Sequence, residues 1–215
     1  MEKHHDSLVI LIHGFCRSGA DMLVWKKHLE STFPNIITPD LPAKYADFEQ
    51  CVEKLTQDIE AAHPGNFRHI HIAGHSMGGL MAREYLCRNP LENVRHLVCA
   101  GTPHYGSKLA DIALRFPGAG AVWKPLHALK CSARTQISTP PIPELKIGVI
   151  VSKNNSLLPG KLFFRGESDG LVECFSALAP DAEHAVFTPV NHVKMQYDPF
   201  TAELIQKFFS GGRFE

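Results

Sequence analysis

Ser76 stands in Gly74-His75-Ser76-Met77-Gly78, with a glycine two places before it and another two places after. That spacing suits one kind of chemistry. A chain that turns sharply from strand to helix needs small residues flanking the turn, because the two elements come close together. The residue at the apex adopts a strained backbone and presents its side chain outward. A serine there acts as a nucleophile when a base takes its proton and a carboxylate orients the base. The expected reaction is acyl transfer, with negative charge developing on a carbonyl oxygen. The free N–H groups at the start of a following helix favour that charge. The Met77 N–H is therefore expected to be one donor of an oxyanion hole.

The elements that must position such a serine are legible in the pattern. Leu8-Val9-Ile10-Leu11-Ile12 reads as a strand buried on both faces, ended by His13-Gly14. The spacing predicts a helix over 20–29 and a second strand at 35–38, stopped by Pro39. Phe48, Val52, Leu55, Ile59 and Ala62 share one face of a helix over 46–62, which Pro64-Gly65 ends. A strand at 69–73 runs directly into the serine turn, and Leu80, Met81, Tyr85 and Leu86 predict a helix after it. Further strands are expected at 94–100, 147–151 and 185–190. Phe200, Leu204, Ile205, Phe208 and Phe209 give a terminal amphipathic helix, closed by Gly211-Gly212. Strands alternating with helices imply βαβ units with right-handed crossovers. The expected class is α/β: one domain over 1–215, with a mostly parallel central sheet and helices on both faces.

Residues 108–144 form a long connection between two expected strands. They open with helical spacing and end in Pro140-Pro141-Ile142-Pro143. Their apolar content predicts a small packed cap or lid insertion. Leu109, Ile112, Phe116, Val122, Trp123 and Leu126 are the candidate lining of an acyl pocket, or simply a cover for the sheet.

Parallel sheets bind ligands beyond the carboxyl ends of their strands. His13-Gly14-Phe15 lies at such an end, and the Phe15 N–H is the candidate second donor for the oxyanion. Ser18 is expected to cap the next helix; contact of Arg17 and Ser18 with a polar head group is the alternative. The late acids are Glu167, Asp169, Glu173 and Asp181. Asp169 is favoured because Ser168-Asp169-Gly170 can turn the carboxylate back toward the site, with Glu173 next. His184 precedes the last expected strand, at the wrong end. His192 follows it, on the same edge as Ser76. The candidate catalytic set is Ser76, Asp169 and His192. Gly101-Thr102-Pro103-His104-Tyr105-Gly106-Ser107 is a further tight loop on that edge.

Together these segments resemble the lipase/esterase group of α/β-hydrolases. The Gly-Thr-Pro-His-x-Gly-Ser stretch is similar to one in bacterial triacylglycerol lipases, lecithin–cholesterol acyltransferases and GPI-inositol-deacylase-like proteins. Small bacterial lipase-like hydrolases share His13-Gly14-Phe15-Cys16-Arg17-Ser18, Asp169-Gly170-Leu171-Val172 and Gly212-Arg213-Phe214. The resemblance implies an α/β-hydrolase fold and carboxylic ester cleavage through an acyl-enzyme. It implies Ser76 as nucleophile, His192 as base, Asp169 as orienter, and the Phe15 and Met77 N–H groups as the hole. An acyltransferase or a thioesterase would use the same set. A catalytically silent binding module is the reading from another class.

Composition narrows the remaining classes. The 215 residues are 44 % hydrophobic and 20 % charged, ordinary for a globular chain. Lys+Arg and Asp+Glu both number 22, so a zero formal charge gives no reason to expect nucleic acid. The early apolar run, Leu8–Ile12, falls short of the roughly 7–15 residues of a signal-peptide core. No stable membrane anchor is expected, and the six scattered cysteines are expected to be free thiols in a cytoplasmic protein. No cofactor is implied. Nor is a metal: His4-His5 and His69-x-His71 lack an acidic or thiolate partner at matching spacing. The expected partner is a small-molecule or lipid ester.

Overall fold

The computed structural model describes residues 4–215. Its centre is a six-stranded sheet in the order β2-β1-β3-β4-β5-β6, every neighbouring pair parallel. The strands are β1 (Ser7–Ile12), β2 (Asn35–Ile37), β3 (His69–His75), β4 (Val94–Ala100), β5 (Lys146–Val151) and β6 (His184–Phe187). The continuous apolar runs occupy the middle of the sheet. Ser7 pairs with His69 and Ile12 with Gly74, so β1 and β3 run side by side to the serine turn.

Two apolar layers sandwich the sheet. On one face lie α1 (Leu23–Leu29) and the terminal helix, with Trp25, Leu29, Phe208 and Phe209 packed on Val9, Leu11 and Ala73. On the other lie α2 (Phe48–Ala61) and α3 (Met77–Arg88), with Leu55, Ile59, Met81 and Leu86 on Ile10, Ile72 and Leu97. The alternation of inward positions along β1 feeds both layers, as a strand buried on both faces requires. Asp47 caps α2 by accepting from the Gln50 N–H at 2.9 Å, and the Gln50 side chain accepts from the Asp47 N–H at 3.2 Å.

Between β4 and β5 the chain forms α4 (Lys108–Ala113), α5 (Ala119–Val122) and two short 3-10 turns. Between β5 and β6 come α6 (Leu158–Phe163) and α7 (Cys174–Ala177). The terminal helix, α8 (Pro199–Gly211), starts at an Asp198 cap and ends at Gly212, whose φ is 71°.

Two sequence expectations need correction. The helix expected over 20–29 begins as a 3-10 turn, Gly19–Met22, and becomes α-helical only from Leu23. Ser18 does stand at the N-terminus of that turn, where its own N–H donates to Asp21 Oδ2 at 2.8 Å. The last strand stops at Phe187 rather than Val190: the Thr188 N–H makes the final bond, to Val151 O at 2.9 Å, and β5 itself ends at Val151. No helix among the described residues is long and apolar enough to cross a membrane.

Candidate active site

Ser76 sits between the end of β3 and the start of α3 with φ 54° and ψ −124°. Non-glycine residues are seldom found there, and surrounding structure must hold them. The Ser76 N–H donates to Ala100 O at 2.8 Å, and Ser76 O accepts from the Gly79 N–H at 3.1 Å. Gly78 is needed for close approach: a Cβ there would lie 2.3 Å from the Ile12 carbonyl oxygen. The first turn of α3 can therefore cross the end of β1, which brings the turn at Ser76 against the loop that follows β1.

Asp169 and His192 meet on the same edge of the sheet. His192 Nδ1 lies 2.6 Å from Asp169 Oδ2, and both residues are buried. The other carboxylate oxygen, Oδ1, accepts from the N–H groups of Leu171 at 3.0 Å and Val172 at 2.7 Å. That leaves Oδ2 as the acceptor facing the ring, so His192 donates from Nδ1 and Nε2 is the ring nitrogen turned away from the carboxylate. The backbones are tied as well, since the His192 N–H donates to Asp169 O at 2.9 Å. The other late acids are engaged elsewhere. Asp181 forms a two-pronged pair with Arg83 at 2.8 and 2.9 Å, and Glu167 pairs with Lys153. Glu173 stands at the N-cap position of the short α7 without a side-chain capping bond, and among the described residues it makes no hydrogen bond to His192.

Two supporting residues escaped the sequence reading. His75 Nε2 donates to His192 O at 2.9 Å. Its pKa lies well below the ordinary histidine value, chiefly because it is fully enclosed and secondarily because the His192 ring is near. A neutral His75 therefore acts as a fixed donor to the loop bearing His192. Gly101 has φ 58°, and a Cβ there would stand 3.1 Å from His192 Nδ1 and 3.2 Å from Asp169 Oδ2. Its presence in a tight loop was visible; that the loop backs the His–Asp pair was not.

The loop after β1 is held by His13. Its Nδ1 donates to Gly14 O at 3.0 Å, and its Nε2 accepts from the Leu41 N–H at 2.9 Å. Burial lowers its pKa, which keeps the neutral form this pattern requires. The N–H groups of Phe15 and Met77 find no protein acceptor among the described residues. Met77 N–H opens α3, where the helix leaves its first donors free.

Ser76, His192, Gly14 and Phe15 line one cavity of about 480 Å³. That falls inside the roughly 300–1,000 Å³ range of small-molecule sites. From the segment between β4 and β5, Leu109, Trp123 and Leu126 line it as expected, joined by Ala110, Ala113 and Leu129. Ile112, Phe116 and Val122 do not. Phe116 and Val122 are exposed instead: Phe116 lies in the turn between α4 and α5, and the four-residue α5 cannot turn every apolar side chain inward.

Among curated proteins, none matches the sequence. Solved structures do match the fold. The mature lipase BlEst2 of Bacillus licheniformis superposes with a TM-score of 0.73 at 16 % identity, over 98 % of this chain and 93 % of that one. The metagenomic carboxyl esterase MGS0156 gives 0.72 at 14 % identity, over 90 % of this chain and 67 % of that one. The RedJ thioesterase of prodiginine biosynthesis in Streptomyces coelicolor gives 0.63 at 18 % identity, over 96 % and 90 %. At these identities the likeness is one of fold. The sequence itself matches the alpha/beta hydrolase family over residues 9–208, a span that runs from β1 through α8 and includes the serine turn and the His–Asp pair. This chain belongs to the alpha/beta hydrolase family.

Proposed function

We infer that this hydrolase cleaves carboxylic esters through an acyl-enzyme on Ser76. The observation that carries the reading is the buried 2.6 Å contact of His192 Nδ1 with Asp169 Oδ2, in a cavity wall shared with a serine at φ 54°. With Nδ1 committed to Asp169, Nε2 is the ring atom free to take the Ser76 proton as Oγ attacks the ester carbonyl. The oxyanion sits on the Phe15 and Met77 N–H groups. His192 then protonates the leaving alcohol. Water, activated by the same ring, attacks the acyl carbon and restores Ser76. Residues 108–144 act as a small cap whose apolar side chains receive the acyl chain, and the cavity limits water around it.

A thioester satisfies the same groups, and the fold is shared with a thioesterase. The test is turnover of p-nitrophenyl butyrate and octanoate, with butyryl and octanoyl thioesters alongside. The expected result is ester cleavage, lost by at least about 10⁴-fold in kcat for Ser76→Ala. Retention of most of the activity in Ser76→Ala would overturn the assignment.

A further inference from the structure

The mechanism above uses the apolar part of the cavity and leaves its charged part without a task. Arg17 and Lys44 line the same cavity as Ser76 and His192, and among the described residues no Asp or Glu lines it. Arg17 is half-buried, yet among the described residues its guanidinium makes no hydrogen bond and no ion pair. The acid whose field reaches it is Asp21, and the oxygens of Asp21 are already occupied. Oδ2 accepts from the Ser18 N–H at 2.8 Å and from Ser18 Oγ at 3.0 Å, and Oδ1 accepts from the Tyr197 hydroxyl. Lys44 is exposed, is hydrogen-bonded to the Tyr45 side chain, lies 4.9 Å from that ring's centroid, and has no carboxylate partner among the described residues. A cavity wall that carries two cations and no carboxylate among the described residues is a favourable place for an anion.

The two cations are also held together. The Cys16 N–H donates to Ala43 O at 3.1 Å, which ties the loop after β1 to the loop after β2. Cys16 takes φ 55° at this junction, with Arg17 and Lys44 both near enough to act on its thiol. The cations come from loops after β1 and β2, whereas the apolar lining comes chiefly from the chain after β4 and β5. The strand order puts those two sets on opposite sides of β3, which carries Ser76. An acyl chain in the apolar part therefore leaves the alcohol of the ester directed toward the cations.

We propose that Arg17 and Lys44 form an anion subsite that selects esters whose alcohol carries a phosphate close to the scissile oxygen. The inference rests on Ser76 being the attacking residue. Two cations match a phosphomonoester dianion, and a guanidinium fork pairs with two of its oxygens. A glycerol phosphate bearing one medium acyl chain has this chemistry.

The test separates the subsite from the reaction. Ser76→Ala protein is titrated calorimetrically with 1-octanoylglycerol 3-phosphate, with 1-octanoylglycerol, and with glycerol 3-phosphate alone. The phosphate ester is expected to bind at least about tenfold tighter than the neutral ester, with the preference weakening as salt rises from about 0.05 to about 0.5 M. Glycerol 3-phosphate alone is expected to bind at least about tenfold more weakly than its acylated form, because it lacks the chain. Adding Arg17→Gln or Lys44→Gln should shrink the preference to less than about threefold. Equal affinity for the two esters, a preference that survives both substitutions, or binding of glycerol 3-phosphate as tight as its ester would each overturn the proposal. Turnover by the intact enzyme then distinguishes the two claims. Preference without turnover of either ester leaves the subsite standing and removes the esterase reading; turnover without preference does the reverse.

Discussion

Asp169 presents its two carboxylate oxygens to different partners: Oδ1 to the Leu171 and Val172 N–H groups, and Oδ2 to His192 Nδ1 at 2.6 Å. This division makes Asp169→Asn an informative change. The amide oxygen can keep both main-chain bonds, so the loop keeps its shape. The amide nitrogen then faces the ring and donates to Nδ1, which forces the hydrogen onto Nε2. The base is lost without loss of fold. A fall in kcat of about 10³–10⁴-fold is expected, with the thermal midpoint nearly unchanged. Stopped assays and a melting curve on the same preparation check both halves.

Gly101 lies behind the same pair. Gly101→Ala puts a Cβ where φ is 58°, 3.1 Å from His192 Nδ1. The backbone strain alone is worth about 1–2 kcal/mol. Displacement of the ring should add a fall in kcat of at least about tenfold, because small misplacements of a base are costly. A lower denaturation midpoint together with a lower kcat is the expected pattern; a stability loss with kcat intact would show that Gly101 serves the fold alone.

Trp123 tests the acyl pocket. It lines the cavity while remaining 39 % exposed. Trp123→Ala should lower kcat/KM for an octanoyl ester about fivefold relative to an acetyl ester, consistent with partial loss of apolar contact at about 25 cal/mol per Å². Equal effects on the two esters would place the chain elsewhere.

A pH effect on stability comes from the far end of the sheet. His71 and His96 are cross-strand partners on β3 and β4, with their Nδ1 atoms 3.0 Å apart. Burial, aided for His71 by its histidine neighbours, pulls His71 down to about 2, and burial with Lys146 nearby pulls His96 down to about 4. Both are therefore neutral in the fold where an unfolded chain begins to bind protons, near pH 6.5. The unfolded state binds more protons below that pH, so stability falls as pH drops from about 6.5 toward about 4. Each such histidine contributes a slope of at most about 1.4 kcal/mol per pH unit. Urea midpoints at pH 7.5, 6 and 5 should show the fall, and His71→Phe should make it shallower, with the part due to His96 and the other buried histidines remaining.

Much of this was legible in the sequence, and the reasons differ by segment. The run Leu8–Ile12 and the serine turn carry local signals, an unbroken apolar stretch and paired glycines, and they fold as those signals imply. Asp169 and His192 were reachable because chain order and the sheet edge restrict where an acid and a base can stand. Helix α6 was not anticipated, and its Pro159 and Gly160 are poor residues for a helix interior. Proline is tolerated in a first helical turn, and a Cβ at Gly160 would meet Gly170 Cα at 2.6 Å. The work of His75 was invisible because its partner, the His192 carbonyl, lies 117 positions away in the chain. The lining of the cap was half right, because very short helices have no reliable apolar face.

Whether Ser76 is an activated nucleophile can be examined without knowing the substrate. A fluorophosphonate probe reacts with a serine only when a base draws off its proton and a hole receives the oxyanion. Folded protein is treated with the probe and mapped by peptide mass, with Ser76→Ala and His192→Ala alongside. Label on Ser76 in the wild type, absent in Ser76→Ala and strongly reduced in His192→Ala, is the predicted result. A folded protein that takes no label, or takes it on another serine, would show that Ser76 is not the activated nucleophile.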